Sequence, residues 1–156
     1  TVLRPGGITV EMLTDVLGAV EIDKGLTDES VKPKAPGMKY RHYAPAGELT
    51  IVAGDTKRVV AYINQETKNL QASGKKVGII SSRETTDEYG ADVVKNIGSR
   101  QDEEAIAKNL YRILREFDDE NVEVIFSESF FGTGMGQAIM NRLLKAAGHK
   151  VIHLEN

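Results

Sequence analysis

The residues of this chain best suited to chemistry fall in one stretch, Ala35-Pro36-Gly37-Met38-Lys39-Tyr40-Arg41-His42-Tyr43-Ala44-Pro45. Lys39, Arg41 and His42 are interleaved with Tyr40 and Tyr43, and prolines bracket the set. Proline fixes its own φ and drives the preceding residue toward extended conformations, so neither Ala35 nor Ala44 favours a helix. The predicted conformation is an extended strap over a surface. Residues 30–47 hold four Lys or Arg and no acid, although the whole chain carries a formal charge of −3. A solvated linker would mix its charges and be rich in Ser or Gly. This segment is composed to hold an anion.

A further cation stands alone. Arg4 is followed by Pro5-Gly6-Gly7. It reads equally as a surface ion-pair residue or as a phosphate contact, since a Gly-rich turn allows close backbone approach and a guanidinium fork matches phosphate oxygens. Near the other end, Gly132-Thr133-Gly134-Met135-Gly136 falls between a predicted strand and a predicted helix, where backbone amides and a helix N-terminus can cradle a phosphate. Glu155 follows 19 residues after Gly136, roughly where a dinucleotide fold places its ribose-binding acid. The spacing is GxGxG rather than GxGxxG, however, and it does not follow the first strand. A tight turn at a strand–helix junction is the preferred reading of Gly132, Gly134 and Gly136, with a ligand loop as the alternative.

Two serine-rich segments, Ser81-Ser82-Arg83 and Ser127-Glu128-Ser129, end predicted strands at the edge where open α/β folds bind ligands. Neither has a His or Lys beside it in sequence, so a nucleophilic role is unsupported, and a polar capping loop is the favoured reading of the first. His149 and His153 are spaced to share one face of a strand and read as edge or surface histidines.

The elements that must carry these residues follow from periodicity. Residues 1–22 begin with a short β-like piece at Val2-Leu3-Arg4. A short helix follows, with Thr9 as N-cap, Met12, Leu13, Val16 and Leu17 facing inward, and Gly18 as its stop. Residues 23–47 form a linker, acidic first and then basic. Residues 48–156 alternate strand and helix: strands near 49–53, 77–80, 92–97, 122–126 and 151–154, with helices opening at Asp55, at Asp102-Glu103-Glu104 and near Gln137. The clearest helix places Ile106, Leu110, Ile113, Leu114 and Phe117 at helical spacing, with acids at its positive N-terminal end. Such alternation implies a three-layer Rossmann-like α/β domain whose five-stranded sheet is mainly parallel.

Composition bounds the rest. At 40% hydrophobic and 28% charged, 156 residues can bury a core and stay in solution. Residues 48–156 hold 14 basic and 17 acidic side chains, which argues against bulk nucleic-acid binding and makes any anion site local, as in the strap. There is no cysteine, so disulfides and thiolate metal sites are excluded and the redox compartment stays open. No apolar run approaches the roughly 18–20 residues of a membrane span. The opening Thr1-Val2-Leu3-Arg4-Pro5-Gly6-Gly7 resembles neither a signal nor a transit peptide, and it starts like the interior of a protein. The chain is therefore expected to be part of a longer one.

Three segments together carry a resemblance: Leu3-Arg4-Pro5-Gly6, the string Lys39-Tyr40-Arg41-His42-Tyr43-Ala44-Pro45, and Gly136 through Ala147. They resemble the two-domain threonylcarbamoyl-AMP synthases, in which a linker bearing this string joins an N-terminal YrdC-type catalytic domain to a smaller C-terminal α/β domain. The resemblance covers residues 1–156 and implies that 1–22 are the end of the catalytic domain, 23–47 the linker and 48–156 the C-terminal domain. It implies a cytoplasmic nucleotidyltransferase that makes threonylcarbamoyl-AMP and pyrophosphate from threonine, bicarbonate and ATP, with Mg accompanying ATP. A downstream transferase would use the product to modify the adenosine beside the anticodon of tRNA. By the same resemblance Arg4, Tyr40 and Tyr43 contact ATP, and Lys39, Tyr40, Arg41, His42 and Tyr43 form a lid. No catalytic residue is expected in the α/β domain, whose role would be structural or regulatory. The alternatives are a stand-alone nucleotide- or dinucleotide-binding module and an RNA-contacting domain.

Overall fold

The computed structural model describes residues 1–2, 7–22, 44–130 and 135–154. Its elements are α1 (Val10–Leu17), β1 (Glu48–Ala53), α2 (Thr56–Ala72), β2 (Val77–Ser81), a 3-10 turn (Thr86–Glu88), β3 (Val93–Asn96), α3 (Glu103–Asp119), β4 (Val124–Glu128), α4 (Met135–Ala146) and β5 (Val151–His153). The strands pair in the order β3-β2-β4-β1-β5, and every pairing is parallel. The expected five-stranded α/β domain is therefore present.

Alternation along the strands sorts their side chains to two faces. Val52, Val77, Ile79 and Phe126 meet Val59, Val60 and Ile63 of α2 on one face. Leu49, Ile51, Ile80 and Ile125 meet α3 and α4 on the other. Every apolar position expected on the inner face of α3 is buried: Ile106, Leu110, Ile113, Leu114 and Phe117. Asp55 and Asp102 cap α2 and α3 as their positions predict, accepting from the amides of Arg58 and Ala105. α4 begins two residues earlier than expected, at Met135.

Close packing of α3 on the sheet depends on one glycine. A Cβ on Gly78 would lie 2.6 Å from Cε1 of Phe117 and 2.9 Å from Cγ1 of Val122. Both neighbours belong to the core, so neither side chain can swing into solvent. Gly78→Ala is expected to destabilise the domain by about 1–3 kcal/mol through overpacking, read as a lower denaturant midpoint at unchanged slope.

Two expectations need correction. The apolar residues of α1 do not face inward among the described residues: Met12 is 55%, Val16 82% and Leu17 67% exposed, and Leu13 is only partly covered. An amphipathic pattern states that a face needs cover, not that this chain supplies it. Thr9 does cap α1, and Gly18 does end it with φ of +81°. Second, His149 and His153 do not share a strand. His149 sits in the turn after α4 with φ of +60°, and β5 starts two residues later. Both are exposed, as edge or surface histidines would be.

Candidate functional site

All five strands run the same way, so the domain has an amino edge, where β1 starts at Glu48, and a carboxyl edge, where β4 ends at Glu128. The two edges lie about 17 Å apart along β1. β1 hands over to α2 on one face and β4 to α4 on the other, so their carboxyl ends border the crevice where open α/β folds bind ligands.

Beside that crevice lies a cluster that sequence reasoning only touched. Glu128 is 1% exposed and accepts four hydrogen bonds. Its Oε2 takes the amide of Ser82 at 3.3 Å and Nη2 of Arg100 at 2.5 Å. Its Oε1 takes the Tyr89 hydroxyl at 2.7 Å and that of Thr85. With the Thr85 proton donated to Glu128, the Ser82 hydroxyl 3.0 Å away donates to Thr85 in turn. Arg100 also gives Nη1 to the carbonyl of Ser129 at 2.9 Å and lies over the Phe130 ring, 5.2 Å from its centroid. Glu84 holds the backbone of the same loop, accepting from the Ser99 hydroxyl at 2.6 Å and the Arg100 amide at 3.3 Å. The Ser99 bond is the main cause of a Glu84 pKa below the usual carboxylate value.

One buried carboxylate thus ties together the ends of β2 and β4, the 3-10 segment and the loop leading into α3. Burial raises the Tyr89 hydroxyl far above its ordinary pKa, and donation to Glu128 reinforces the shift, so Tyr89 remains a donor at any physiological pH. Both oxygens of Glu128 are met by donors, and among the described residues no histidine joins the cluster; His153 lies two strands away at the end of β5. The cluster has the chemistry of a clamp rather than of a nucleophile and its base. The capping reading of Ser81-Ser82-Arg83 fits: Ser81 and Ser82 are buried, and the Thr85 amide donates to the carbonyl of Ser82. Among the described residues no group of His, Asp and Glu is arranged to hold a metal ion, and no helix is long and apolar enough to cross a membrane.

At the amino edge the chain enters the domain through residues 44–48. Pro45 is buried, the Ala46 amide donates to Oδ1 of Asp118 at 2.7 Å, and the Glu48 amide donates to the carbonyl of Glu123 at 3.0 Å. Lys150 reaches the Glu48 carboxylate at 2.5 Å and, by that bond, holds the Glu48 pKa below the ordinary value.

Arg4, Lys39, Tyr40, Arg41, His42 and Tyr43 lie outside the described residues, as do Gly132, Gly134 and Glu155. Gly136 is described: it is buried in the first turn of α4, after the fourth strand as expected. The sequence marked Ser82 and Glu128 for their edge position but missed Thr85, Tyr89 and Arg100. The one signal for them was an unpaired acid at the end of an apolar strand, which demands donors from somewhere.

The family described as the C-terminal domain of threonylcarbamoyl-AMP synthase matches residues 8–148. The threonylcarbamoyl-AMP synthase of Bacillus subtilis is 47% identical over 150 residues, and that of Pyrococcus abyssi 42% identical over 151. Each alignment takes in 96% of this chain but only 42% and 43% of those proteins, so the chain spans less than half the length of these relatives. Among solved structures, Pyrococcus abyssi Sua5 complexed with L-threonine matches with a TM-score of 0.86 at 41% identity, covering 98% of this chain and 44% of that one. The C-terminal Sua5 domain from a Pyrococcus horikoshii hypothetical Sua5 protein matches with a TM-score of 0.57 at 37% identity, over 71% of this chain and all of that one.

Proposed function

The chain belongs to the threonylcarbamoyl-AMP synthase C-terminal domain family, and from that premise we propose that it is the portion of such a synthase that carries the linker strap and the α/β domain holding it. The whole protein forms threonylcarbamoyl-AMP and pyrophosphate from threonine, bicarbonate and ATP in the cytoplasm, and a downstream transferase places the threonylcarbamoyl group on tRNA. Residues 1–22 close the catalytic domain, 23–47 are the linker and 48–156 are the α/β domain. The match of 96% of this chain to 42% of a synthase carries the proposal. α1 supports it, because a helix exposing Met12, Val16 and Leu17 is suited to packing on another domain. The Pyrococcus horikoshii relative, a C-terminal Sua5 domain by itself, supports an α/β domain that holds its own fold. The L-threonine bound to Pyrococcus abyssi Sua5 supports threonine as a substrate.

In this reading the strap is the chain's contribution to chemistry. Attack on the α-phosphate of ATP builds negative charge on a pentavalent phosphorus and on departing pyrophosphate, and positioned cations stabilise both. Arg4, Tyr40 and Tyr43 contact ATP, while Lys39, Arg41 and His42 add charge and donors over it. The carbamate formed from threonine and bicarbonate loses carbon dioxide readily in water, so covering the site protects the intermediate. Mg enters with ATP, and none of the described residues is assigned to it. The chain by itself is expected to be inactive, since it spans only 42% of the length of a synthase it matches. Pyrophosphate release that depends on both threonine and bicarbonate, observed with the isolated chain, would overturn this assignment.

A further inference from the structure

We propose that Asp118 and Gly47 are positioning residues for the strap: together they set the point and direction at which the chain leaves the α/β domain. The inference rests on reading residues 39–43 as a strap over the adenylate. Four consecutive residues, Pro45 to Glu48, are individually restrained, and Ala44 precedes them. Ala44 sits at a recess of about 340 Å³ on α3, with Tyr111, Leu114 and Asp118. Pro45 is buried and has a fixed φ. The Ala46 amide is held by Asp118 at 2.7 Å. A Cβ on Gly47 would lie 2.5 Å from the carbonyl oxygen of Val122, so only glycine lets the two backbones approach this closely. The Glu48 amide then joins the carbonyl of Glu123 at 3.0 Å.

Asp118 is poorly placed for helix stability. It lies in the last turn of α3, where the negative end of the helix dipole disfavours a carboxylate. It is exposed, so burial does not account for it either. The contact that gives it a role is the Ala46 amide. The anchor is also stiff, because the Val122 amide returns to the carbonyl of Phe117, a residue with 0% exposure in the core. Tyr43 is one residue from Ala44, and Arg41 is three residues away, no more than about 11 Å of extended chain. On the strap reading, a changed exit direction at Ala44 displaces the point from which residues 39–43 set out, and catalytic geometry is sensitive to displacements of about 1 Å.

The test uses the full-length protein with Asp118→Ala, Asp118→Asn, Gly47→Ala and Arg41→Ala, scoring synthase turnover, KM for ATP, uncoupled ATP hydrolysis and melting temperature. Asp118→Ala and Gly47→Ala are expected to lower turnover by roughly three- to tenfold and to raise ATP hydrolysed per product formed. For Asp118→Ala, KM and melting temperature should stay close to parental, because the residue is exposed and its proposed action is on the chain exit rather than on substrate. Asp118→Asn keeps an oxygen acceptor for Ala46 and should restore coupling. Parental turnover in Asp118→Ala beside a slow Arg41→Ala would overturn the anchor and leave the strap reading standing. Parental turnover in Arg41→Ala would remove the strap reading and the anchor with it. Equal losses in Asp118→Ala and Asp118→Asn, matched by a fall in melting temperature, would make the residue structural and also overturn the proposal.

Discussion

Glu128→Ala is expected to destabilise the α/β domain by about 3–5 kcal/mol, as much as a large truncation in the apolar core. Truncation leaves the Ser82 amide, the Thr85 and Tyr89 hydroxyls and one edge of the Arg100 guanidinium without their acceptor. Three of these four donor residues are buried, so water cannot simply replace the carboxylate. Glu128→Gln tests whether charge or hydrogen bonding matters more. The amide oxygen still accepts, but its NH2 faces donors and it no longer neutralises Arg100, so a smaller loss of about 1–3 kcal/mol is expected. Denaturant unfolding of the chain and both variants, fitted with a common slope, gives the comparison. A loss below about 1 kcal/mol for Glu128→Ala would mean that water fills the site and that the clamp is slack.

On the proposed function, Arg41→Ala in the full-length protein is expected to lower synthase turnover about a hundredfold, near 3 kcal/mol of transition-state stabilisation. The guanidinium should meet phosphate oxygens most strongly as charge builds during adenylation, so kcat falls more than KM rises. Tyr43→Ala should act differently, opening the strap to water and raising uncoupled ATP hydrolysis per product formed. Neither change alters the length of the linker, so a passive tether would tolerate both. Near-parental turnover and coupling in the two variants would reduce the strap to a spacer.

Local pattern alone was enough for the order of strands and long helices among the described residues after 47, although β4 ends two residues later than expected and the 3-10 turn at Thr86–Glu88 was not read. Ile106, Leu110, Ile113, Leu114 and Phe117 declared the inner face of α3, and Asp55 and Asp102 declared the starts of two helices. These signals are short-range, since helical spacing and caps involve residues three or four apart. The basic strap, bracketed by Pro36 and Pro45, was equally plain as composition. Strand order was not legible. Alternation predicts parallel strands with crossovers, but β4 lies between β2 and β1 because of how α2, α3 and α4 divide between the two faces. Glu128 found its partners only in three dimensions. Ser82 and Arg100 lie 46 and 28 residues away in sequence, and only pairing of β4 with β2 brings their loops together. Met12, Val16 and Leu17 show the converse limit: amphipathicity is a property of one helix, whereas cover is a property of what packs against it. Tertiary structure also decided that the strap joins the domain at the amino edge while the Glu128 clamp closes the carboxyl edge. Parallel strands of five or six residues keep those two features about 17 Å apart.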